Sequence, residues 1–165
     1  MSTFRFCPHC AAALAPRLID GAERLACTAA CGYVCWNNPT PVVAALVQQG
    51  EHFILARNAA WPAGMFSLIT GFLEAGELPE PAIAREAQEE LGLGTASVRF
   101  LGHFSLPQFN QLIVAYHLTA CGELAPGAEI AETQRLTRAE LLAYDFGPLE
   151  LSSRIVRAAL QPAAA

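Results

Sequence analysis

Three glutamates crowd one short stretch, Arg85-Glu86-Ala87-Gln88-Glu89-Glu90-Leu91. On a helix, residues three and four apart are neighbours, so Glu86, Glu89 and Glu90 project from about one face. Like charges at that spacing repel, and the cost rises when the groups are partly buried. Hard divalent cations such as Mg2+ or Mn2+ favour clustered carboxylate oxygens and keep positions for water and substrate phosphates. The three glutamates are therefore a candidate divalent-metal site. A bare E-x-x-E-E string is also what a solvated acidic face looks like, so the surrounding residues have to decide.

A second set of metal-ligand residues lies at the start. Five of the six cysteines (Cys7, Cys10, Cys27, Cys31 and Cys35) fall in the first 35 residues, and Cys121 stands apart. In a reducing compartment, C-x-x-C spacing belongs more often to zinc or redox centres than to structural disulfides. Cys7-Pro8-His9-Cys10 and Cys27-Thr28-Ala29-Ala30-Cys31 are separated by sixteen residues, enough for two knuckles to meet at one tetrahedral ion. The pattern resembles a zinc ribbon, whose four thiolates make a closed site that folds a head too small to bury its own core. The C-x3-C second knuckle departs from the usual C-x2-C, which leaves Cys35, and more remotely His9, open as substitute ligands. Cys121, like Cys35 if it is no ligand, reads as plainly buried. His52, His103 and His117 read as structural.

The elements that must position these residues follow from punctuation and periodicity. Asn37-Asn38-Pro39-Thr40-Pro41 interrupts regular structure and divides a cysteine-rich head, 1–38, from an apolar body, 39–165. Val42 to Val47 and Phe53 to Ala56, joined by Gln48-Gln49-Gly50-Glu51, give a hairpin signal. Met65 to Thr70 reads as a strand running into a loop at Gly71. Pro79 and Pro81 suit a helix's first turn, so a helix is expected over roughly 80–91, stopped by Gly92. Strands are expected over 98–104, 112–119 and 133–136. Thr137-Arg138-Ala139-Glu140 is a capping box opening another helix, and a last helix after Pro148 carries Ile155, Val156 and Leu160 inward. This order predicts an α/β or α+β sandwich.

The frame around the glutamates is specific. Gly71, Glu77, Arg85, Glu86, Glu89, Glu90 and Gly92 match G-x5-E-x7-R-E-U-x-E-E-x-G-U, where U is apolar, at every fixed position. This resembles the Nudix box. The resemblance implies an α/β/α sandwich with a mixed sheet, and a pyrophosphatase acting on a nucleoside diphosphate linked to another moiety. It implies Mg2+ or Mn2+ held by Glu86, Glu89 and Glu90, with a metal-bound water attacking phosphorus. By box position Glu86, Glu89 and Glu90 are catalytic, Arg85 orients a carboxylate and Glu77 pairs with it to brace the loop, with a structural or a direct catalytic part open for both Arg85 and Glu77, while Glu74 is the weaker acid. A carbonyl of Thr70 or Gly71 completes the metal shell, the glycine allowing close approach. A further carboxylate comes from the Glu129 and Glu132 region, with Glu129 favoured. The family also leads to an expectation of a homodimer.

A zinc ribbon, N-P-x-P and a Nudix box together resemble the group of NADH, ADP-ribose and FAD pyrophosphatases. The NADH enzymes carry SQPWPFP after the box. Here Ser105-Leu106-Pro107-Gln108-Phe109-Asn110-Gln111 keeps little of it beyond Pro107, so NADH, ADP-ribose and FAD stay open as substrates. Phe72, Trp36 and Phe109 are candidate stacking partners for a base. Two alternatives are a nucleotide-sensing regulator without turnover and a nucleic-acid-binding ribbon. Against the second stands a formal charge of -5 with a pI near 5.3, and a head with only Arg5, Arg17 and Arg24 against Asp20 and Glu23. No apolar run approaches the length of a membrane span and no signal region precedes the first cysteines, so a cytoplasmic, soluble protein is expected.

Overall fold

The computed structural model describes residues 4–29, 31–147 and 150–161. The chain divides into two compact units, Met1–Pro39 and Thr40–Ala165. In the first, β1 (Leu14–Ile19), β2 (Ala22–Cys27) and β3 (Val34–Cys35) form an antiparallel sheet in the order β1-β2-β3. Asp20 and Gly21 both take positive φ, giving the tight turn between β1 and β2.

The second unit is built on β4 (Thr40–Gln49). Its run from Val42 to Val47 is buried throughout because both faces of the strand are covered. Val43, Ala45 and Val47 face one core, and Val42, Ala44 and Leu46 the other. The strand pairs in parallel with β8 (Gln111–Cys121) and antiparallel with β5 (His52–Asn58) and β6 (Ile69–Phe72). The sheet order is β7-β8-β4-β5-β9, with β7 spanning Gly94–Leu106 and β9 Ile130–Leu136, and β6 on β4 beside β5. This is the expected mixed sheet.

Helix α1 (Pro79–Leu91) covers the first core and buries Ala82, Ile83, Ala87 and Leu91. Pro79 and Pro81 cost nothing there because the first-turn N–H groups have no partner inside the helix. Gly92 closes the helix in the left-handed conformation at φ 69, and any Cβ there would meet the Ala125 carbonyl oxygen at 2.6 Å. At the other end the buried Tyr116 hydroxyl of β8 donates to Glu80 at 3.1 Å, fixing the first turn of α1 against the sheet. Helices α2 (Arg138–Leu142) and α3 (Glu150–Leu160) cover the second core. Thr137 and Glu140 form the full reciprocal capping box, and Ile155, Val156 and Leu160 are buried. Pro148 lies outside the described residues.

Three expectations shift. The strand placed at 65–70 is regular only from Ile69. Before it, Ser67 makes a single bridge to Ala56, since the β4 ladder begins at the Ala45–Ile69 pair. Gly71 consequently lies within β6 rather than in the following loop. Cys121, expected to be buried, is exposed at the end of β8.

Candidate active site

Strand β6 and helix α1 bring the box together. Gly71 pairs with Val43 and so presents the face of β6 that looks toward α1. The Glu86 side chain occupies the place a Cβ on Gly71 would take, and a Cβ there would overlap its Cγ, Cδ and Oε1. The glycine is thus required by close approach, not by backbone conformation.

Arg85 gathers three of the acids on one guanidinium and fixes them in place. Its Nε and Nη2 donate to Glu77, both at 3.0 Å, its Nη1 to Glu86 at 2.8 Å and Glu89 at 3.0 Å, and its Nη2 also to the Phe72 carbonyl at 3.3 Å. One planar guanidinium therefore joins the loop after β6 to three carboxylates. Glu77 in turn accepts from the Glu74 amide at 3.2 Å, closing the loop Glu74–Glu77. Glu74 makes no side-chain contact of this kind among the described residues.

The electrostatics divide the acids. The hydrogen bond from Arg85 holds the Glu77 carboxyl below its ordinary value. Burial raises Glu86, with Arg85 opposing the rise. Burial first, then the charges of Glu86, Glu129 and Glu89, push Glu90 up to about 7. Glu90 and Glu129 are thus within Coulombic reach of each other, whereas Glu132 is turned away into an ion pair with Arg57 at 2.7 Å. A desolvated carboxylate among like charges is a group whose charge a cation would stabilise, so this donor set fits a hard divalent metal.

On the opposite face of the sheet lies a cavity of about 660 Å³. Its floor includes Val42, Ala44 and Ile113, with Thr70 of β6 beside it, and its walls include Trp61 and Phe109. The pocket has the size and apolar lining of a small-molecule site. Phe109 is exposed in a 3-10 turn, Pro107–Phe109, and Phe72 is exposed on β6. Trp36 belongs to the other unit, where the Arg24 guanidinium lies 4.8 Å from its ring centroid. Sequence reasoning missed Trp61 and Arg57. A single large aromatic in the turn-like Asn58-Ala59-Ala60-Trp61-Pro62 was a signal for the first; nothing marked the second.

In the cysteine unit, Cys7, Cys10, Cys27 and Cys31 place their sulfurs within 4.8 Å of one another. The Cys7–Cys31 and Cys10–Cys27 sulfurs are 3.5 and 3.4 Å apart, and none of the four is in a disulfide. The longer second knuckle still closes, so Cys35, buried beside β2, is not among the four. Burial opposes ionisation of Cys27, but hydrogen bonds from the Cys31 amide and from the Cys31 and Cys10 thiols outweigh it and bring the group down to about 6. Four converging thiols with no disulfide among them fit a zinc ribbon.

The NUDIX domain family model matches residues 38–155, most of the chain. The chain belongs to the NUDIX domain family. Among curated relatives, the NAD-capped RNA hydrolase NudC of Mycobacterium tuberculosis is 44% identical over 109 residues, covering 62% of this chain and 34% of the relative. The enzyme of that name from Stutzerimonas stutzeri is 30% identical over 136 residues, covering 82% and 48%. The chain thus spans half or less of the length of these relatives. Among solved structures, a NUDIX hydrolase from Nitrosomonas europaea superposes with a TM-score of 0.76 at 22% identity, covering 96% of this chain and 89% of the other. A MutT structure from Aliivibrio salmonicida and Vibrio cholerae work gives 0.60 at 19% identity, over 74% and 98%. At these identities the structures establish the Nudix fold alone, now with the box geometry beside it. No helix among the described residues is long and apolar enough to cross a membrane.

Proposed function

We propose that this Nudix protein is a metal-dependent pyrophosphohydrolase that splits a dinucleotide or nucleoside diphosphate derivative (NAD, NADH, ADP-ribose or FAD) into AMP and a second phosphate ester. The observation that carries the reading is the intact box folded so that Glu86 packs on Gly71 while Glu90, half-buried, lies within reach of Glu129. Glu86, Glu90 and Glu129, with Glu89 and the Gly71 carbonyl, hold Mg2+ or Mn2+. That cation supplies screening of the diphosphate charge and acidifies the attacking water. Arg85 orients Glu86 and Glu89, and Glu77 fixes Arg85. The cavity beside Thr70 receives one nucleoside part of the substrate, with Phe109 and Trp61 as its aromatic walls. Phe72, exposed next to Gly71, is a stacking partner nearer the diphosphate. The four cysteines hold one structural zinc ion. The names of the NudC relatives support an NAD-related substrate. Because the stretch after the box keeps little of the NADH array beyond Pro107, ADP-ribose and FAD stand beside it.

The test is a panel of NADH, NAD, ADP-ribose, FAD, an NAD-capped oligonucleotide and nucleoside triphosphates, each with Mg2+ or Mn2+, for the parent and Glu90→Gln. AMP release from at least one dinucleotide should fall on the order of 10²–10⁴-fold in the variant. A panel in which the parent cleaves nothing faster than Glu90→Gln would sink the enzyme reading. Metal analysis should find about one zinc per chain.

A further inference from the structure

Arg57 lies outside the box, at the end of β5, where the register against β9 slips between Arg57 and Asn58. Bulges of this kind re-aim side chains beside active sites. The Arg57 side chain is only 12% exposed. Its Nη2 donates to Glu132 Oε1 at 2.7 Å and its Nη1 to the Trp61 carbonyl at 3.1 Å. Its buried Nε has no hydrogen-bond partner among the described residues.

Stability alone does not account for this arrangement. The Glu132 side chain is 53% exposed, and ion pairs with a solvated partner contribute little. A buried guanidinium with one nitrogen unpartnered costs more than an apolar side chain in its place. What the guanidinium does offer is a rigid fork that spans two fixed acceptors. One acceptor belongs to Trp61, a wall of the cavity, and the other to β9, just beyond Glu129. A second tie runs alongside, because the Ala59 amide donates to the Glu129 carbonyl at 2.8 Å. The loop between them is closed on Asn58, whose Oδ1 accepts from the Ala60 amide and whose carbonyl accepts from the Trp61 amide, both at 2.9 Å.

We infer that Arg57 is a positioning residue that ties the Trp61 wall of the cavity to the Glu129–Glu132 segment, so that the nucleoside pocket and the carboxylate site keep one fixed spacing. This rests on the reading of the cavity as the nucleoside pocket. Without the fork, Trp61 loses its second anchor and the pocket wall moves independently of Glu129. Binding of the nucleoside part then weakens while Glu86 and Glu89 stay where Arg85 holds them.

The experiment uses the full chain with Trp36→Phe, which leaves Trp61 as the single tryptophan. Acrylamide quenching of Trp61 and steady-state kinetics on the best nucleotide of the panel are compared for this parent, Arg57→Gln and Arg57→Lys. Arg57→Gln should roughly double the quenching constant and raise KM about tenfold with kcat changed by about twofold or less. Arg57→Lys, which reaches one acceptor but not both, should fall between. A cooperatively melting Arg57→Gln with parental quenching and KM overturns the inference, as does a loss confined to kcat. Should Arg57→Gln fail to fold, the same comparison on Arg57→Lys decides. If the unsubstituted chain cleaves no nucleotide, the proposed function fails on its own, and the quenching comparison still decides whether Arg57 holds Trp61.

Discussion

The two candidate metal sites differ in how finished they are. The cysteine sulfurs of the head already converge within 4.8 Å. Among the described residues the glutamates of the Nudix domain form no such cluster: Arg85 draws Glu77, Glu86 and Glu89 to itself, and Glu90 feels the charge of Glu129. A closed thiolate site has one task, to fold the chain around an ion. A carboxylate site that must admit a diphosphate has to stay open, and an arginine held by several acids keeps their mutual repulsion from dispersing them. Convergence suits the proposed structural site, and restrained openness the proposed catalytic one.

That contrast can be broken at either end. The largest effect is expected from Cys7→Ser, which should abolish zinc retention and the folded signature of the head by NMR or circular dichroism, since small metal-dependent units fold only with their ion. Retention of about one zinc per chain in that variant would remove the head's structural role. Gly71→Ala comes next: its methyl would occupy the place of the Glu86 carboxylate, and AMP release should fall about 100-fold with little change in melting temperature. Normal activity in Gly71→Ala would mean that Glu86 works from some other position.

The smallest effect is on stability against pH. Glu90 holds its proton up to about 7 when folded, against an ordinary value of 4.5. Between those values the folded state binds more protons than the unfolded one, so its contribution to stability falls as pH rises through that window. Glu77 runs the other way: lowered by Arg85, it contributes above the ordinary value, and that contribution is lost as pH falls through its folded one. Metal-free protein should therefore melt at a higher temperature near pH ~5.5 than near pH ~8, with the difference reduced in Glu90→Gln. Added Mg2+ should stabilise more at the higher pH, where Glu90 is ionised. Equal shifts at both pH values would separate Glu90 from the cation site.

Much of this was legible in the chain because it rests on local rules. The hairpin of β4 and β5, the proline-started and glycine-stopped α1, and the capping box of Thr137 and Glu140 each depend on a few neighbouring residues. The box fixed which acids share α1. It could not say that Gly71 lies inside a strand, because β6 runs on as far as β4 continues to pair with it, through Val43 with Gly71 and Val42 with Phe72. Nor could it show that Glu132 belongs to Arg57, or that Cys121 would end its strand in solvent, since each is decided by which strands become neighbours. The preference for Glu129 over Glu132 came from the family pattern, whereas the pairing of Glu132 with Arg57 across β5 and β9 is something the sequence does not carry.

The parallel pairing of β4 with β8 has a temporal consequence. Thr40 must find Gln111, and α1 with its acids lies in the chain between them. During synthesis the helix therefore leaves the ribosome well before the central strand that its apolar face and Glu80 dock against. Until Tyr116 arrives, α1 has only part of the surface it packs against. Non-local pairings of this kind form late and set the pace of folding. The box acids of α1 thus reach their final setting only once β8 has been made and has paired with β4.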